Sequence, residues 1–292
     1  MKRLFKGRWD WRLMVPLGIV LVVVYLTLVP ILMLIYGSFR DGPPGTESAF
    51  DLGNYQTVFT NPDLYESLAN SLRFALGGSS LAFAVGCLLA WLTERTNIPF
   101  KGLIYASVFT ELMIPGVLET IALVLLYSPK IGLINVFLMG ALSLGGPPFN
   151  IYSMGGMIWA FGVGSFAVPF LLMAAAFRSM DPSLEEAAMV SGSGTMGTLY
   201  RITLKLALPA MLAAWLLLFI RAIETFEEPL VLGLPSGITV LATEVYLAVR
   251  RMPTDYNLAA TFAIVYLVVA VVGLVIYFRA TRFSERYAVI TG

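Results

Sequence analysis

The chain has 292 residues, of which 58% are hydrophobic and 13% are charged, and its formal net charge is +1. Soluble domains usually have about 25% charged residues, so this composition predicts a protein solvated by lipid. A net charge so close to zero argues against nucleic acid as a partner. Because the chain has no histidine, hydrolases of the Ser-His type and histidine metal sites are excluded.

Six apolar segments are long enough to cross a membrane, since a spanning helix needs about 20 mostly apolar residues. In chain order they are Leu13–Tyr36, Phe74–Thr93, Leu103–Tyr127, Tyr152–Phe177, Leu206–Phe226 and Leu258–Phe278. The apolar run of the first is too long for a signal peptide, and no A-x-A cleavage site follows it. The sequence therefore predicts an all-α, polytopic membrane protein with six transmembrane helices.

Proline and glycine residues predict breaks within these segments. Pro16 and Pro30 in the first span, Pro115 in the third and Pro169 in the fourth are expected to kink their helices. The stretch from Ile131 to Phe177 carries no charge and is too long for one helix. We divide it at Gly145-Gly146-Pro147-Pro148, which is a strong helix breaker.

Lysine and arginine residues are distributed unevenly around the predicted spans. One set of flanks carries Lys2, Arg3, Lys6, Arg8, Arg12, Arg95, Lys101, Arg178, Arg201, Lys205, Arg279, Arg282 and Arg286. The alternate flanks carry Arg40, Lys130, Arg250 and Arg251. Because cytoplasmic loops of membrane proteins are enriched in basic residues, we expect both termini and the interval after the fourth span to lie in the cytoplasm.

That interval, Asp181–Pro209, is a long polar stretch between two predicted spans. Asp181 and Pro182 are typical of a helix start, and Gly192 can adopt the left-handed conformation that ends a helix. The expected helix faces comprise Leu184, Ala187, Ala188 and Ser191 before the glycine and Met196, Leu199, Thr203 and Leu206 after it. The interval therefore predicts two helices joined by a sharp turn, with small side chains exposed on the first.

The same interval resembles the cytoplasmic loop signature of ABC importer permeases. The pattern EAA, three residues, G, nine residues, I-x-L is present as Glu186-Ala187-Ala188, Gly192 and Ile202-Thr203-Leu204. In that family the two-helix loop docks in a cleft of the ATPase subunit. The resemblance therefore implies that Glu186, Ala187, Ala188, Gly192 and Ile202 couple the chain to an ATPase, and we call residues 181–209 the coupling loop. Lys205 stands where the family usually has proline, which leaves the exit angle of the second helix open.

Other stretches resemble the same family. Gly37–Gly45, Gly145–Trp159 and Glu224–Ala248 are similar to the N-terminal half of duplicated permeases usually assigned to iron(III) uptake. The resemblance covers most of the chain. It implies a type I ABC importer permease fold and a single transmembrane permease domain over residues 1–292.

Two nucleotide-binding patterns overlap the coupling loop. Gly192-x-Gly194-x-x-Gly197 matches the dinucleotide fingerprint, but that site needs a preceding strand and an acidic residue about 20 positions later. A helix is expected before Gly192, and Thr198 stands where a phosphate-binding loop needs lysine. We therefore expect no cofactor on this chain and no enzymatic activity of its own, with ATP bound by a partner ATPase.

Charged side chains inside spans are costly, so they are candidates for a functional role. The candidates for a translocation pathway are Glu111, Glu119, Arg221, Glu224, Glu227 and Glu228. The last three glutamates are expected to share one helix face. In the alternative interpretation, Arg221 neutralises Glu224, three residues later, while the other two face water. Five glutamates against one arginine predict an acidic lining that favours a cation, with iron(III) first and polyamines or other small solutes as alternatives.

Two classes of transporter fit these features. A stand-alone secondary transporter would use inverted repeats and intramembrane charges, but it gives the EAA pattern no role. We therefore expect an ABC importer permease in the cytoplasmic (inner) membrane of a bacterium or archaeon. Its expected partners are ABC ATPase subunits, an extracytoplasmic solute-binding protein, the lipid bilayer and a second permease half, identical or related. In duplicated permeases a stretch similar to the one ending at Gly292 continues into a second set of spans, so we expect a half of such a protein.

Overall fold

The computed structural model describes residues 11–42 and 45–284. Its helices are α1 (Trp11–Ser38), α2 (Gly53–Thr60), α3 (Pro62–Arg95), α4 (Lys101–Met113), α5 (Gly116–Tyr127), α6 (Leu133–Leu142), α7 (Met154–Gly164), α8 (Ala167–Ser179), α9 (Ser183–Val190), α10 (Thr195–Thr198), α11 (Leu204–Glu224), α12 (Leu241–Arg250) and α13 (Tyr256–Ser284). Two π-helical turns, Leu199–Thr203 and Pro229–Gly233, and a 3₁₀ turn, Leu234–Ser236, complete the helical part. Among the described residues, the β-structure is one isolated antiparallel bridge between Arg40 and Phe50. The all-α prediction is confirmed.

Four helices of the described chain are long and apolar enough to cross a membrane alone, and three bent helix pairs raise the possible number of spans to seven. The four are Met14–Ser38, Pro62–Arg95, Thr195–Glu224 and Tyr256–Arg279. The bent pairs are Lys101–Met113 with Gly116–Tyr127 (110°), Met154–Gly164 with Ala167–Ser179 (48°) and Pro229–Ser236 with Leu241–Arg250 (77°). The six predicted spans fall on the four long helices and the first two pairs. The third pair was not predicted from the sequence.

Proline accounts for the two bends inside predicted spans. Pro115 forces Ile114 into an extended conformation (ψ 123°), so α4 ends there and α5 starts in a new direction. Pro169 lies in the first turn of α8 and has no N–H to donate to the carbonyl of Ser165, four residues earlier. The kinks predicted at Pro115 and Pro169 are thus located at, or within one turn of, the observed breaks.

The chain packs as two compact units, and the first combines the described residues up to Asn61 with Val245–Val265. Asn257 Nδ2 donates to the carbonyl of Gly42 at 2.7 Å, which holds the start of α13 to the segment after α1. Thr261, fully buried, donates to the carbonyl of Ser38 at 3.4 Å. Most side chains of α1 are apolar and exposed, as expected for a helix whose surroundings are lipid.

The second unit comprises Pro62–Glu244 and the described residues from Tyr266 onward, and its core forms where α3 packs on α7, α8 and α11. Glycines in α3 permit this close approach. A Cβ at Gly78 would lie 2.8 Å from Cδ1 of Phe161, and one at Gly86 would lie 2.5 Å from the carbonyl oxygen of Phe166. Small residues at helix contacts let two backbones approach closely, which is the usual packing mode in membranes.

The break predicted at Gly145-Gly146-Pro147-Pro148 is confirmed, since α6 ends at Leu142 and α7 begins at Met154. Asn135, fully buried on α6, holds the connecting segment in place. Its side chain donates to the carbonyls of Tyr127 and Phe149 at 3.0 and 2.9 Å and accepts from the Phe149 N–H at 3.0 Å. The side chain of Asn135 thereby satisfies backbone groups that the missing helix leaves open.

Candidate functional site: the coupling loop and an acidic cavity

The coupling loop begins with a capped helix. Asp181 Oδ1 accepts a hydrogen bond from the N–H of Ser183 at 2.9 Å, at the first residue of α9. This bond lowers the pKa of the Asp181 carboxyl below its usual value. Its stabilising effect is therefore present above the pKa of an unfolded aspartate and is lost as the pH falls through the lower folded pKa. The helix start predicted from Asp181 and Pro182 is confirmed.

The turn after α9 depends on glycine. Gly192 has a φ of +86°, the left-handed conformation predicted for it. The N–H of Ser193 donates to the carbonyl of Ala188 at 3.0 Å and that of Gly192 to the carbonyl of Met189 at 2.9 Å, so the last carbonyls of α9 are satisfied. The chain then continues as one helix from Thr195 to Glu224.

The residues with a predicted coupling role lie mostly on the outside of this loop. Glu186, Ala187 and Gly192 are exposed, whereas Ala188 and Ile202 are half-buried. Ile202 lies within the π-helical turn rather than in a regular α-helix. The exposed surface around them is apolar as well as acidic: the exposed fractions of Leu184, Met189 and Val190 are 51%, 49% and 89%.

Sequence reasoning missed Glu185, the neighbour of Glu186. Glu185 is only 7% exposed, and its Oε2 lies 3.2 Å from Arg95 Nη1. Thr203 Oγ1 donates to Glu185 Oε1 at 2.6 Å. Arg95 Nη2 also donates to the carbonyls of Met180, at 2.9 Å, and Phe177. One guanidinium therefore contacts both the end of α8 and the first turn of α9.

A second ion pair lies beside the first. Arg178 Nη2 contacts Glu94 Oε1 at 2.8 Å, and Arg178 Nε contacts Glu94 Oε2 at 3.2 Å. The Tyr105 hydroxyl donates to the same carboxylate. The Arg178 side chain is 68% exposed, so solvent screens this pair, whereas the side chains of Arg95 and Glu185 are 11% and 10% exposed.

A cavity of about 200 Å³ lies in the second unit among α4, α5, the junction of α7 and α8, and the end of α11. The pathway candidates that line it are Glu111, Glu119, Arg221, Glu227 and Glu228. Glu224, the last residue of α11, is exposed and is not part of this lining. We call this space the acidic cavity, since its lining includes four carboxyl groups and one guanidinium.

Bends and glycines give the acidic cavity its form. The 110° bend between α4 and α5 allows Glu111 and Glu119, on different helices, to face the same space. A Cβ at Gly164 would lie 2.6 Å from both carboxyl oxygens of Glu119, so a side chain here would require the Glu119 carboxyl group to move. A Cβ at Gly116 would lie 3.9 Å from Oε1 of Glu227. The carboxyl groups of Glu119 and Glu227 therefore lie next to the backbone of glycine residues.

The prediction that Glu224, Glu227 and Glu228 share one helix face is wrong. The helix ends at Glu224 because Thr225 is extended (ψ 135°), and Glu227 and Glu228 belong to the next helical segment. The structure also has no ion pair between Arg221 and Glu224. Among the described residues, ion pairs join Arg95 to Glu185 and Arg178 to Glu94.

Two carboxyl oxygens of the acidic cavity have no protein partner. Oε2 of Glu111 and Oε2 of Glu228 are buried and make no hydrogen bond to any described residue. In the described part of the chain, no three Asp, Glu or Cys side chains lie close enough together to hold a metal ion.

The chain is similar to known transport proteins. A family model described as "Binding-protein-dependent transport system inner membrane component" matches residues 82–289. The sulfoquinovosyl glycerol transport system permease protein SmoH of Agrobacterium fabrum is 28% identical over 66% of this chain and 64% of its own length. The putative ferric transport system permease protein FbpB 1 of Haemophilus influenzae is 25% identical over 84% of this chain and 37% of its own. The alignment therefore spans less than two thirds of either relative.

Other similarities extend over nearly the whole chain. The spermidine/putrescine transport system permease protein PotB of Salmonella typhimurium is 26% identical over 92% of this chain and 94% of its own. A solved bacterial ABC transporter involved in the import of the acidic polysaccharide alginate has a chain that superposes with a TM-score of 0.75, at 21% identity over 97% of both chains. A second structure, the alginate transporter in complex with an alginate-bound periplasmic protein, gives 0.73 at 23% identity.

Proposed function

This chain belongs to the family of binding-protein-dependent transport system inner membrane components, the permeases of ABC importers, and we propose that it forms one half of a solute pathway across the cytoplasmic membrane. The family and the fold are those of transport permeases rather than enzymes. The observation that carries the proposal is the acidic cavity. Five of the six charged residues proposed for a pathway line this one space, in a unit built from membrane-spanning helices.

The solute is a cation, with iron(III) first and a polyamine second. Four carboxyl groups against one guanidinium lower the energy of a positive charge in the acidic cavity and raise that of a free anion. The similar proteins differ in solute: two relatives are named as ferric and spermidine/putrescine permeases, whereas the alginate transporter imports an acidic polysaccharide. The charge of the cavity alone therefore supports a cation. Metal-binding geometry is absent from the described residues, so the protein contributes charge and leaves coordination to the ligands that travel with the metal.

The coupling loop is the docking element for an ATPase subunit. Its exposed face combines Glu186 with the apolar side chains of Leu184, Met189 and Val190. Exposed apolar groups clustered beside polar ones are typical of a protein interface. With the loop and both termini in the cytoplasm, a solute-binding protein delivers solute on the opposite face, and a second permease half, identical or related, completes the pathway.

Transport follows from movement of the coupling loop. ATP binding closes two ATPase subunits and carries each loop with them. The loop lies between α8 and α11, so its displacement tilts the two helices that border the acidic cavity at their far ends. The cavity then opens alternately to either side of the membrane.

Uptake of labelled iron(III) and labelled putrescine tests the proposal, with the chain co-expressed with its ATPase and binding protein. We expect Glu119→Gln and Glu227→Gln to lower the uptake of the transported cation about tenfold, because each removes a carboxyl group from the cavity. Gly164→Ala should have a similar effect, since its Cβ displaces the Glu119 carboxylate.

Gly140→Ala is the matched control, because a Cβ at Gly140 has no neighbour within 4 Å. Membrane levels are measured for every variant. Wild-type uptake in all three cavity variants would show that these carboxyl groups are structural and would remove the argument for a cation.

A further inference from the structure

The coupling loop must be attached firmly to the membrane helices if it is to move them. Helix α9 has only eight residues, and helices this short are unstable in isolation. Its exposed face is assigned to the ATPase in the proposed function. The attachment must therefore come from the opposite side of α9, where Glu185 is buried.

Three side chains meet on that side. Glu185 binds Arg95, the last residue of α3, through Oε2 at 3.2 Å. Its other oxygen accepts from Thr203, which is 2% exposed and lies in the π-helical turn before α11. Each oxygen of one carboxylate is thus bound to a different membrane-spanning helix.

Arg95 extends the connection to a third helix. Its Nη2 donates to the carbonyls of Phe177 and Met180 at the end of α8. The Phe177 carbonyl also accepts from the N–H of Met180 at 3.2 Å, and Met180 directly follows the last residue of α8, so the guanidinium adds a side-chain contact at the C-terminal end of α8. Charge-assisted bonds of this kind are stronger and more directional than neutral ones.

We propose that Arg95, Glu185 and Thr203 form a joint that passes the movement of the coupling loop to α3, α8 and α11. This inference rests on the proposed function. It adds that adjacent glutamates have different roles, with Glu186 facing the ATPase and Glu185 holding the loop to the membrane helices. Glu185 and Thr203 are positioning residues, because they act through the helices that they connect.

Thr203→Val and Thr203→Ser provide a matched pair for the test. Valine keeps the shape and removes the hydroxyl, whereas serine keeps the hydroxyl. Glu185→Gln removes the charge that faces Arg95. Each variant is co-purified with the ATPase and reconstituted into vesicles with the binding protein. ATP hydrolysis and solute uptake are then measured in the same preparation.

We expect Thr203→Val and Glu185→Gln to retain bound ATPase and basal ATP hydrolysis. The amount of solute moved per ATP hydrolysed, which we call the transport ratio, should fall about tenfold, within the usual range of coupling between sites. Thr203→Ser should recover most of the loss. Glu94→Gln is the charge control, because Glu94 is next to Arg95 in sequence but pairs with the exposed Arg178. It should leave the transport ratio unchanged.

Two results would overturn the joint. One is a wild-type transport ratio in both Thr203→Val and Glu185→Gln. The other is loss of the ATPase from these variants, which would assign the three side chains to docking. Failure of the proposed function gives a different result, because the wild-type chain itself would then neither bind the ATPase nor transport solute.

Discussion

The coupling loop and the acidic cavity both contain glutamates with buried carboxyl oxygens, but the partners of these oxygens differ. The carboxylate of Glu185 has a guanidinium on one oxygen and a hydroxyl on the other. In the cavity, Oε2 of Glu111 and Oε2 of Glu228 are buried without a partner among the described residues. The contacts of Glu185 hold helical segments together, whereas the two cavity oxygens remain free to accept a hydrogen bond.

Under the proposed function, the bonded carboxylate attaches the coupling loop and the unbonded carboxyl groups line the solute pathway. A buried polar group without a partner costs free energy, so a site that keeps two such groups gives up stability for another purpose. A fully bonded carboxylate has no acceptor capacity to offer a solute and serves to fix geometry. We therefore expect substitutions in the two regions to act in opposite ways on stability.

Removing the partner of the bonded carboxylate should have the largest effect on stability. In Arg95→Ala, Glu185 stays buried without its counter-ion, and the carbonyl of Met180 loses its contact with the guanidinium. Breaking a buried pair in this way costs about 3–5 kcal/mol of unfolding free energy. Denaturant unfolding of the protein in detergent measures this quantity.

Arg178→Ala is the control for that experiment, since it breaks the neighbouring but 68% exposed pair. Its expected cost is far smaller, because solvent screens an exposed ion pair. An equal loss of unfolding free energy in Arg95→Ala and Arg178→Ala would mean that burial does not distinguish the two ion pairs. It would contradict the contrast between bonded and unbonded carboxylates.

The turn of the coupling loop should show a smaller effect. Gly192→Ala places a side chain at a φ of +86° with no atom within 4 Å of the new Cβ. Only backbone strain remains, which is about 1–2 kcal/mol for an L residue in this conformation. Gly194→Ala also meets nothing within 4 Å, and its φ is −71°, so it should cost far less. A thermal shift for Gly194→Ala as large as that for Gly192→Ala would contradict this account.

The smallest change is expected in the acidic cavity. Glu111→Gln replaces a carboxyl group whose Oε2 has no partner. We expect an unfolding free energy that is unchanged or raised by up to about 1 kcal/mol, because an amide is less costly to bury than a carboxylate. The same denaturant experiment applies, with Glu185→Gln as the comparison that should lose stability. Destabilisation of Glu111→Gln by the same amount would show that the cavity carboxyl is also structural.

The sequence predicted the apolar helices well, because their length and composition leave few alternatives. It missed the bent pair Pro229–Ser236 with Leu241–Arg250, since charged residues precede that segment and Pro235 and Gly237 interrupt it. It also missed Glu185. Local periodicity does not reveal which of two adjacent glutamates turns inward when the partner, Arg95, lies 90 residues away.

The set of cavity residues was predicted from a simple cost argument, since charges inside spans need a reason to be there. What the sequence did not reveal was the end of α11 at Glu224, which divides the glutamates between two segments. It also gave no sign of Gly164, whose missing side chain makes room for the Glu119 carboxylate. Both features depend on tertiary packing rather than on local pattern.

The π-helical turn at Leu199–Thr203 has a geometric consequence for the whole coupling loop. A π turn contains one residue more than an α turn, and each residue of an α-helix rotates the chain by about 100°. The turn therefore accommodates one additional residue between the helix in the membrane and the loop outside it. Deleting one residue here would let the segment close as a regular α turn, so the face that carries Glu186 would keep nearly its present direction. Deleting one residue from the regular part of α11 would instead rotate that face by about 100°.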